Sequence, residues 1–226
     1  MALSIIIPVG PGDTTWKQLL PDLNGLDTAA EIVLVAVRGC LPVRFDASDW
    51  QLRSSVRWIE AAQGRAAQLN AGAASARGSV LCFLHSDSRL PNRSLDTLQH
   101  YPHDPNTVYY FDLHFLPDGP RMMVLNRLGA LVRSRLFGMP FGDQGLTLSR
   151  ALWSRLGGFD CAVGCGEDHD LVWRARRLGA AITPFRAPIH TSARKYLASG
   201  WLRTTLHHLY LTARQARRFS SRERVL

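Results

Sequence analysis

Long apolar runs are absent from this sequence: none reaches the ~18 residues that a bilayer-spanning helix needs. The apolar opening, residues 2–8, is shorter than a secretory leader and lacks its basic flank. It reads as a buried strand, and the expected compartment is the cytoplasm. Cysteine is scarce, with four in 226 residues, which excludes a disulfide scaffold. Cys161 and Cys165 stand four apart in a glycine-rich loop. A structural metal pair wants closer spacing and further ligands, so they read as free thiols. No internal repeat or low-complexity segment divides the chain, and its length suits one domain. DNA- and RNA-binding motifs are missing and the basic C-terminal stretch lacks interleaved aromatics. Nucleic acid is therefore not an expected partner, despite an isoelectric point near 10.1.

What the sequence does have is an uneven charge. Residues 1–120 carry nine Lys/Arg against twelve Asp/Glu, and residues 121–226 carry eighteen against six. The formal +9 is therefore concentrated in the second half, which implies an anionic partner there, such as a phosphate-bearing substrate or an anionic surface. Apolar runs at 5–8, 32–37, 56–59 and 80–84 predict strands covered on both faces. Helical patterns at 15–26, 65–77 and 94–100 alternate with them, the last with Ser94 as a candidate N-cap. This order predicts an α/β fold with a parallel sheet between helices. Further along, 107–116 alternates like a half-exposed strand and 122–137 reads as an amphipathic helix. A short strand is expected at 144–149, helices at 151–156 and 168–178, a last strand at 181–185 and a basic helix over 196–218.

Five stretches carry chemistry. An apolar strand ends in His85-Ser86-Asp87, and ligands of open α/β sheets bind beyond the carboxyl ends of strands. A carboxylate there suits Mg²⁺ or Mn²⁺ bridging a diphosphate, or a helix N-cap. His85 and Asp87 share a side if the chain stays extended. Gly64-Arg65 opens a helix, and a helix N-terminus with a guanidinium is a phosphate site. Glu167-Asp168-His169-Asp170 opens another, with more carboxylates than one cap needs, so one is a candidate general base. Phe141-Gly142-Asp143-Gln144-Gly145 suits either close approach to a ligand or a tight turn. His190-Thr191-Ser192-Ala193-Arg194-Lys195 offers cations and hydroxyls for a phosphate, or a plain surface loop.

In this order, over nearly the whole chain, these pieces resemble the family-2 glycosyltransferases of GT-A fold. Ser4–Pro8 is similar to their first strand, and His85-Ser86-Asp87 falls where they place an Asp-x-Asp motif. Gly157-Gly158-Phe159-Asp160 and Glu167-Asp168 are similar to their Gly-Gly-Phe and Glu-Asp segments. The stretches 64–72, 83–90, 142–146 and 191–194 resemble a smaller subgroup associated with radical-SAM and selenium-domain proteins. That subgroup includes an enzyme joining a UDP-sugar, commonly UDP-N-acetylglucosamine, to selenophosphate through a carbon–selenium bond.

The resemblance implies a Rossmann-like nucleotide-binding half with a mixed, mostly parallel sheet. It divides the expected single domain, 1–226, into a nucleotide-sugar half (1–104), an acceptor half (105–195) and a basic C-terminal helix (196–226). It implies catalytic roles for Asp168 and Glu167. Donor-binding roles fall to Pro8, Val9, Gly10, Arg38, Arg65, Asn70, His85, Ser86, Asp87, Asp143 and Gln144. Arg133, Arg135, Arg194 and Lys195 are the expected acceptor cations, and Asp87 and His190 the expected ligands for Mg²⁺ or Mn²⁺. The chain departs from the family pattern where the first Asp of Asp-x-Asp is His85 and where the second strand ends without a carboxylate. A transferase acting on a hydroxyl or lipid-linked acceptor, with residues 201–218 lying peripherally on a membrane, is the alternative. An inactive sugar-nucleotide binder is a further one.

Overall fold

The computed structural model describes residues 2–42, 45–101 and 104–221, so Met1, 43–44, 102–103 and the last five residues of the expected C-terminal segment lie outside the description. The first half alternates strand and helix. β1 (Leu3–Val9), a short α1 (Trp16–Leu19) continuing as a 3₁₀ turn to Leu23, β2 (Glu31–Val37) and β3 (Ser55–Ala61) come first. α2 (Arg65–Ser75), β4 (Val80–Phe83) and α3 (Asn92–His100) follow. The second half holds β5 (Thr107–Phe115), α4 (Met123–Leu136), β6 (Thr147–Ser149), α5 (Arg150–Leu156) and α6 (Glu167–Arg177). It ends with β7 (Ala181–Thr191), α7 (Arg194–Ala198) and α8 (Trp201–Ser221).

All seven strands join one sheet in the order β3-β2-β1-β4-β6-β5-β7. β1 pairs parallel with β2 and β4, β2 with β3, and β5 with β7, whereas β6 runs antiparallel to both β4 and β5. The sheet is thus mixed and mostly parallel, with apolar cores on both faces. Leu19, Leu23, Leu95 and Leu98 cover one face, and Leu69, Leu152, Leu171 and Val172 the other. α2 lies close enough to β1 that a Cβ on Gly72 would come within 2.4 Å of Ile6 and 3.0 Å of Val35.

Several expectations need correction. Thr107–Phe115 is largely buried rather than half-exposed, because β6 and β7 flank it and both cores cover it. β3 is the half-buried strand instead, since it forms one edge. β7 runs on to Thr191, carrying Pro184 and Pro188 on the other edge, where a missing N–H costs no ladder bond. α3 starts at Asn92 without a serine cap, and the Ser94 hydroxyl donates instead to the Pro188 carbonyl. The expected strand 144–149 shortens to Thr147–Ser149 behind a 3₁₀ turn over Gly142–Gln144. Gly200, at φ 79°, breaks the expected C-terminal helix into α7 and α8. β4 stops at Phe83 and the chain turns, the Ser88 N–H donating to the His85 carbonyl, so His85 and Asp87 do not continue an extended strand.

Overpacking at the α2–β1 contact tests this account. Gly72→Ala is expected to lower unfolding stability by about 1–3 kcal/mol, read from the denaturant midpoint at unchanged slope. An unchanged midpoint would show that α2 can lift off β1 at no cost.

Candidate active site

The N-termini of α2 and α6 meet the ends of β1 and β4 at the carboxyl edge of the sheet. Gly64, at φ 123°, turns the chain into α2 so that Arg65 is its first helical residue. The Arg65 Nε donates to Glu167, its Nη2 lies 3.8 Å from Asp168 Oδ1, and its Nη1 lies 3.3 Å from His85 Nε2. Asp168 Oδ2 accepts the Gly142 N–H at 2.5 Å and Oδ1 accepts its neighbour His169 N–H at 2.9 Å. Burial opposes the Asp168 charge, but Arg65 and the two backbone donors outweigh it and hold the carboxyl below its ordinary value. Burial, and next the Arg65 charge, push the His85 imidazole down to about 4, so the ring is neutral near pH 7. With Arg65 donating to Nε2, the network assigns the ring proton to Nδ1. A Cβ on Gly142 would lie 2.9 Å from Asp168 Oδ2 and 3.1 Å from His85 Nε2, so only glycine lets this loop close on both.

A cleft of about 350 Å³ opens beside the cluster, lined by Pro8, Asp13, Thr15, Arg65, His85, Ser86 and Asp87. Asp13 organises it. Oδ1 accepts the Thr15 N–H and hydroxyl at 2.8 and 2.6 Å, and Oδ2 accepts the Ser86 hydroxyl at 2.5 Å. Burial opposes its charge, and the Ser86 and Thr15 donors more than offset that. Burial pushes the neighbouring Asp87 carboxyl up, against the pull of Lys195 and Arg194. The larger cavity of about 430 Å³, between β5 and α4, shares no residue with this cleft.

The other expected residues divide. Arg133 stacks 3.5 Å over the Phe141 ring, donates to Met139 and Gln144 at 3.0 Å each, and feels the charges of Asp143 and Asp168. Asp143 has a buried Oδ1 with no hydrogen-bond partner, and its charge acts on Arg65, His85 and Arg133. Lys195 acts electrostatically on His85 and Asp87. The exposed Arg194 pairs with Asp118 at 3.4 Å.

Arg135 is not brought here, because Asp112 holds it at 2.7 Å beside the larger cavity. His190 packs its ring against His114, 5.3 Å away, and its charged neighbours are Arg127, Asp22 and Arg89 rather than Asp87. Among the described residues no group of three His, Cys, Asp or Glu could hold a metal. Asn70 spends its amide on the backbone of Phe159, donating at 2.7 Å and accepting at 2.8 Å, so it positions the Gly158–Phe159 turn. Gln144 is likewise internal, donating to Phe111 O at 3.0 Å. Gln68 pins the strand ends, donating to the Val9 and Val35 carbonyls at 2.9 and 2.7 Å. Gly10 accepts the Asp13 N–H, and Arg38 is exposed at the end of β2, outside the cleft lining. Sequence reasoning missed Asp13, although a carboxylate four residues beyond a buried strand at the sheet's carboxyl edge is a readable signal.

The fold is the GT-A fold of the glycosyltransferases among solved structures. Neither a family model nor a curated protein matches the sequence. Among solved structures, S. aureus TarS superposes at a TM-score of 0.60 and 17% identity, over 85% of this chain and 37% of that one. TarS 1-349 in complex with UDP-GlcNAc gives 0.59 and 18%, over 85% and 58%. The mannosyltransferase PcManGT from Pyrobaculum calidifontis, in complex with GDP-Man and Mn²⁺, gives 0.60 and 20%, over 83% and 56%. The chain thus spans between about a third and three fifths of the length of these structures.

The His85 environment predicts a pH dependence. Its folded value, about 4, lies below the ordinary 6.5. As pH falls between these, the unfolded chain binds the proton first and folding stability drops. His85→Gln is expected to lose less stability between pH 6.5 and pH 4 than the native protein, measured by chemical denaturation at each pH. Equal losses would contradict a depressed His85.

Proposed function

We propose that the protein is an inverting glycosyltransferase that moves a sugar from a UDP-sugar, first of all UDP-N-acetylglucosamine, to selenophosphate, and so is a selenosugar synthase. The donor half of the reading draws on the GT-A fold and on the TarS structure solved with UDP-GlcNAc. The observation that carries the acceptor half is the state of Asp168. A hydroxyl acceptor needs a base tuned near the working pH. Asp168 has both oxygens engaged by backbone donors and its carboxyl held low, which makes it a poor base. Selenophosphate is anionic near neutral pH and needs no base, only cations to hold it. Arg133 and Lys195 face the cluster and supply them. The selenium electron pair then forms the bond to the anomeric carbon as the bond to the diphosphate oxygen breaks, and UDP departs with that bond's electrons on the opposite side. Asp87 sits at the donor diphosphate, and Arg65 fixes the carboxylates that orient the sugar.

The side chains present suit Mg²⁺ or Mn²⁺ only in part. Asp87 is available, the Asp13 oxygens already accept from Thr15 and Ser86, and His85 Nε2 faces Arg65. A bound ion would rest on Asp87 and neutralise diphosphate charge, with the nucleotide completing its shell. Mn²⁺ titrated calorimetrically is therefore expected to bind weakly alone and more tightly with UDP. Tight binding without nucleotide would contradict this donor set.

The direct test is mass spectrometry after incubation with UDP-N-acetylglucosamine and selenophosphate. A selenium-containing sugar is expected, and none is expected from Asp87→Ala. Arg133→Met or Lys195→Met should raise the acceptor KM strongly while the donor KM stays nearly unchanged. A hydroxyl or lipid-linked acceptor remains the second reading, because Arg65 keeps Asp168 ionised. In that case Asp168→Asn would cut the rate by ~10²–10⁴-fold and a neutral acceptor would outcompete selenophosphate.

A further inference from the structure

Two helices turn their apolar side outward. α4 buries Met123, Ala130 and Ser134 and leaves Leu125, Leu128 and Leu136 at 49%, 56% and 75% exposure. α8 turns Trp201, Thr205, His208 and Gln215 toward the protein, while Leu202, Leu206, Leu209 and Tyr210 stay 56–61% exposed. An ordinary surface helix shows the reverse pattern. The start of α8 meets α4 at Asn126, which donates to Thr205 at 3.0 Å and accepts from Trp201 Nε1 at 2.7 Å. Large apolar side chains exposed in such number on two touching helices are of the kind that marks an interaction surface.

The charge on this face selects the occupant. Neither helix contains an acidic residue. Arg127, Arg203 and Arg214 are exposed and make no salt bridge among the described residues. A second copy packed on this face would bring arginine flanks together with no carboxylate on either helix to answer them. A negatively charged lipid surface answers them directly. α8 would extend about 30 Å along such a surface, and no helix among the described residues is apolar enough to cross it.

We propose that the α4–α8 face docks on a bilayer containing anionic lipid, with the leucines at the acyl boundary and the arginines among the head groups. This inference is independent of the acceptor assignment.

Sedimentation with vesicles tests it, using phosphatidylcholine alone and phosphatidylcholine mixed with phosphatidylglycerol. The protein is expected to pellet with the mixed vesicles, at least about tenfold less with phosphatidylcholine alone, and less as salt rises. Leu128→Glu with Leu206→Glu, both at exposed positions, should weaken pelleting on the order of tenfold or more while circular dichroism stays unchanged. Arg203→Gln with Arg214→Gln should weaken binding to the mixed vesicles and narrow the preference for them. Absence of pelleting with the mixed vesicles overturns the proposal. So does a stable dimer in analytical ultracentrifugation that the two Leu→Glu changes split and that vesicles do not compete for.

Discussion

The pairing of Arg65 with Glu167 and Asp168 is the constraint on which the site depends. It joins residues about a hundred positions apart and fastens the start of α2 to the start of α6 across the sheet edge. Two adjacent carboxylates buried at one helix end repel each other, and the helix dipole alone does not offset two desolvated charges. Arg65, with the N–H groups of Gly142 and His169, provides the balance. Removing the guanidinium would leave carboxylates buried without a counter-charge, which costs more than the pair itself contributes. The same guanidinium sets the His85 tautomer and helps keep that ring neutral. The cluster is therefore largely self-satisfied. Polar capacity for a ligand remains at Asp87, at the unpaired Asp143 oxygen, and in the charges of Lys195 and Arg133.

A second layer holds that pairing in place. His169 Nε2 accepts from Trp173 Nε1 at 3.1 Å, so its Nδ1 carries the proton and meets Gln215 Oε1 at 3.1 Å. Gln215 also donates to the Cys165 carbonyl at 3.2 Å. A Cβ on Gly166 would collide with the Gln215 amide at 2.4 Å, so α8 packs this closely only because α6 is entered through a glycine at φ 90°. The inner side of α8 thus braces the helix start that bears Asp168, while its outer side carries the exposed leucines. One helix connects the molecular surface to the Arg65–Asp168 cluster through two hydrogen-bonded residues.

The first half of the fold was legible because β1, β2 and β4 are apolar on both faces and its helices are bounded by Gly64 and Pro91, signals that local chemistry supplies. The second half was less so, because the context there is tertiary. Residues 107–116 alternate polar and apolar, yet most are buried, since Tyr110 sends its hydroxyl to the Ser134 carbonyl and Asp112 pairs with Arg135. β7 continues through two prolines because an edge strand tolerates them. For the candidate site, residue type pointed to elements that the structure brings together but not to what each side chain touches. Asn70 and Gln144 are polar residues in glycine-rich stretches, as ligand-binding residues would be, yet both close backbone gaps. Asp13 is the reverse case: its place just beyond β1 is a local signal, and the meeting of β1 with the Ser86 loop gives it its partner in the cleft.

The positive charge of the second half shows why composition alone could not assign a partner. One share of it is internal. Arg150 donates to the Ala73, Ala76 and Gly78 carbonyls and so closes the C-terminus of α2, while Arg174 ties Asp170 to the carbonyls of Leu156 and Gly158. A second share, Arg133 and Lys195, faces the carboxylates of the cleft. A third, Arg127, Arg203 and Arg214, stands on the outward face among leucines. The first share is fixed by carbonyl oxygens and cannot be lent to a ligand without unwinding a helix end. The second already has Asp143 and Asp87 as neighbouring carboxylates, so an anion must compete with them for it. Only the third makes no salt bridge among the described residues, and an unbridged charge beside apolar surface suits a partner that offers both an anion and a hydrocarbon boundary.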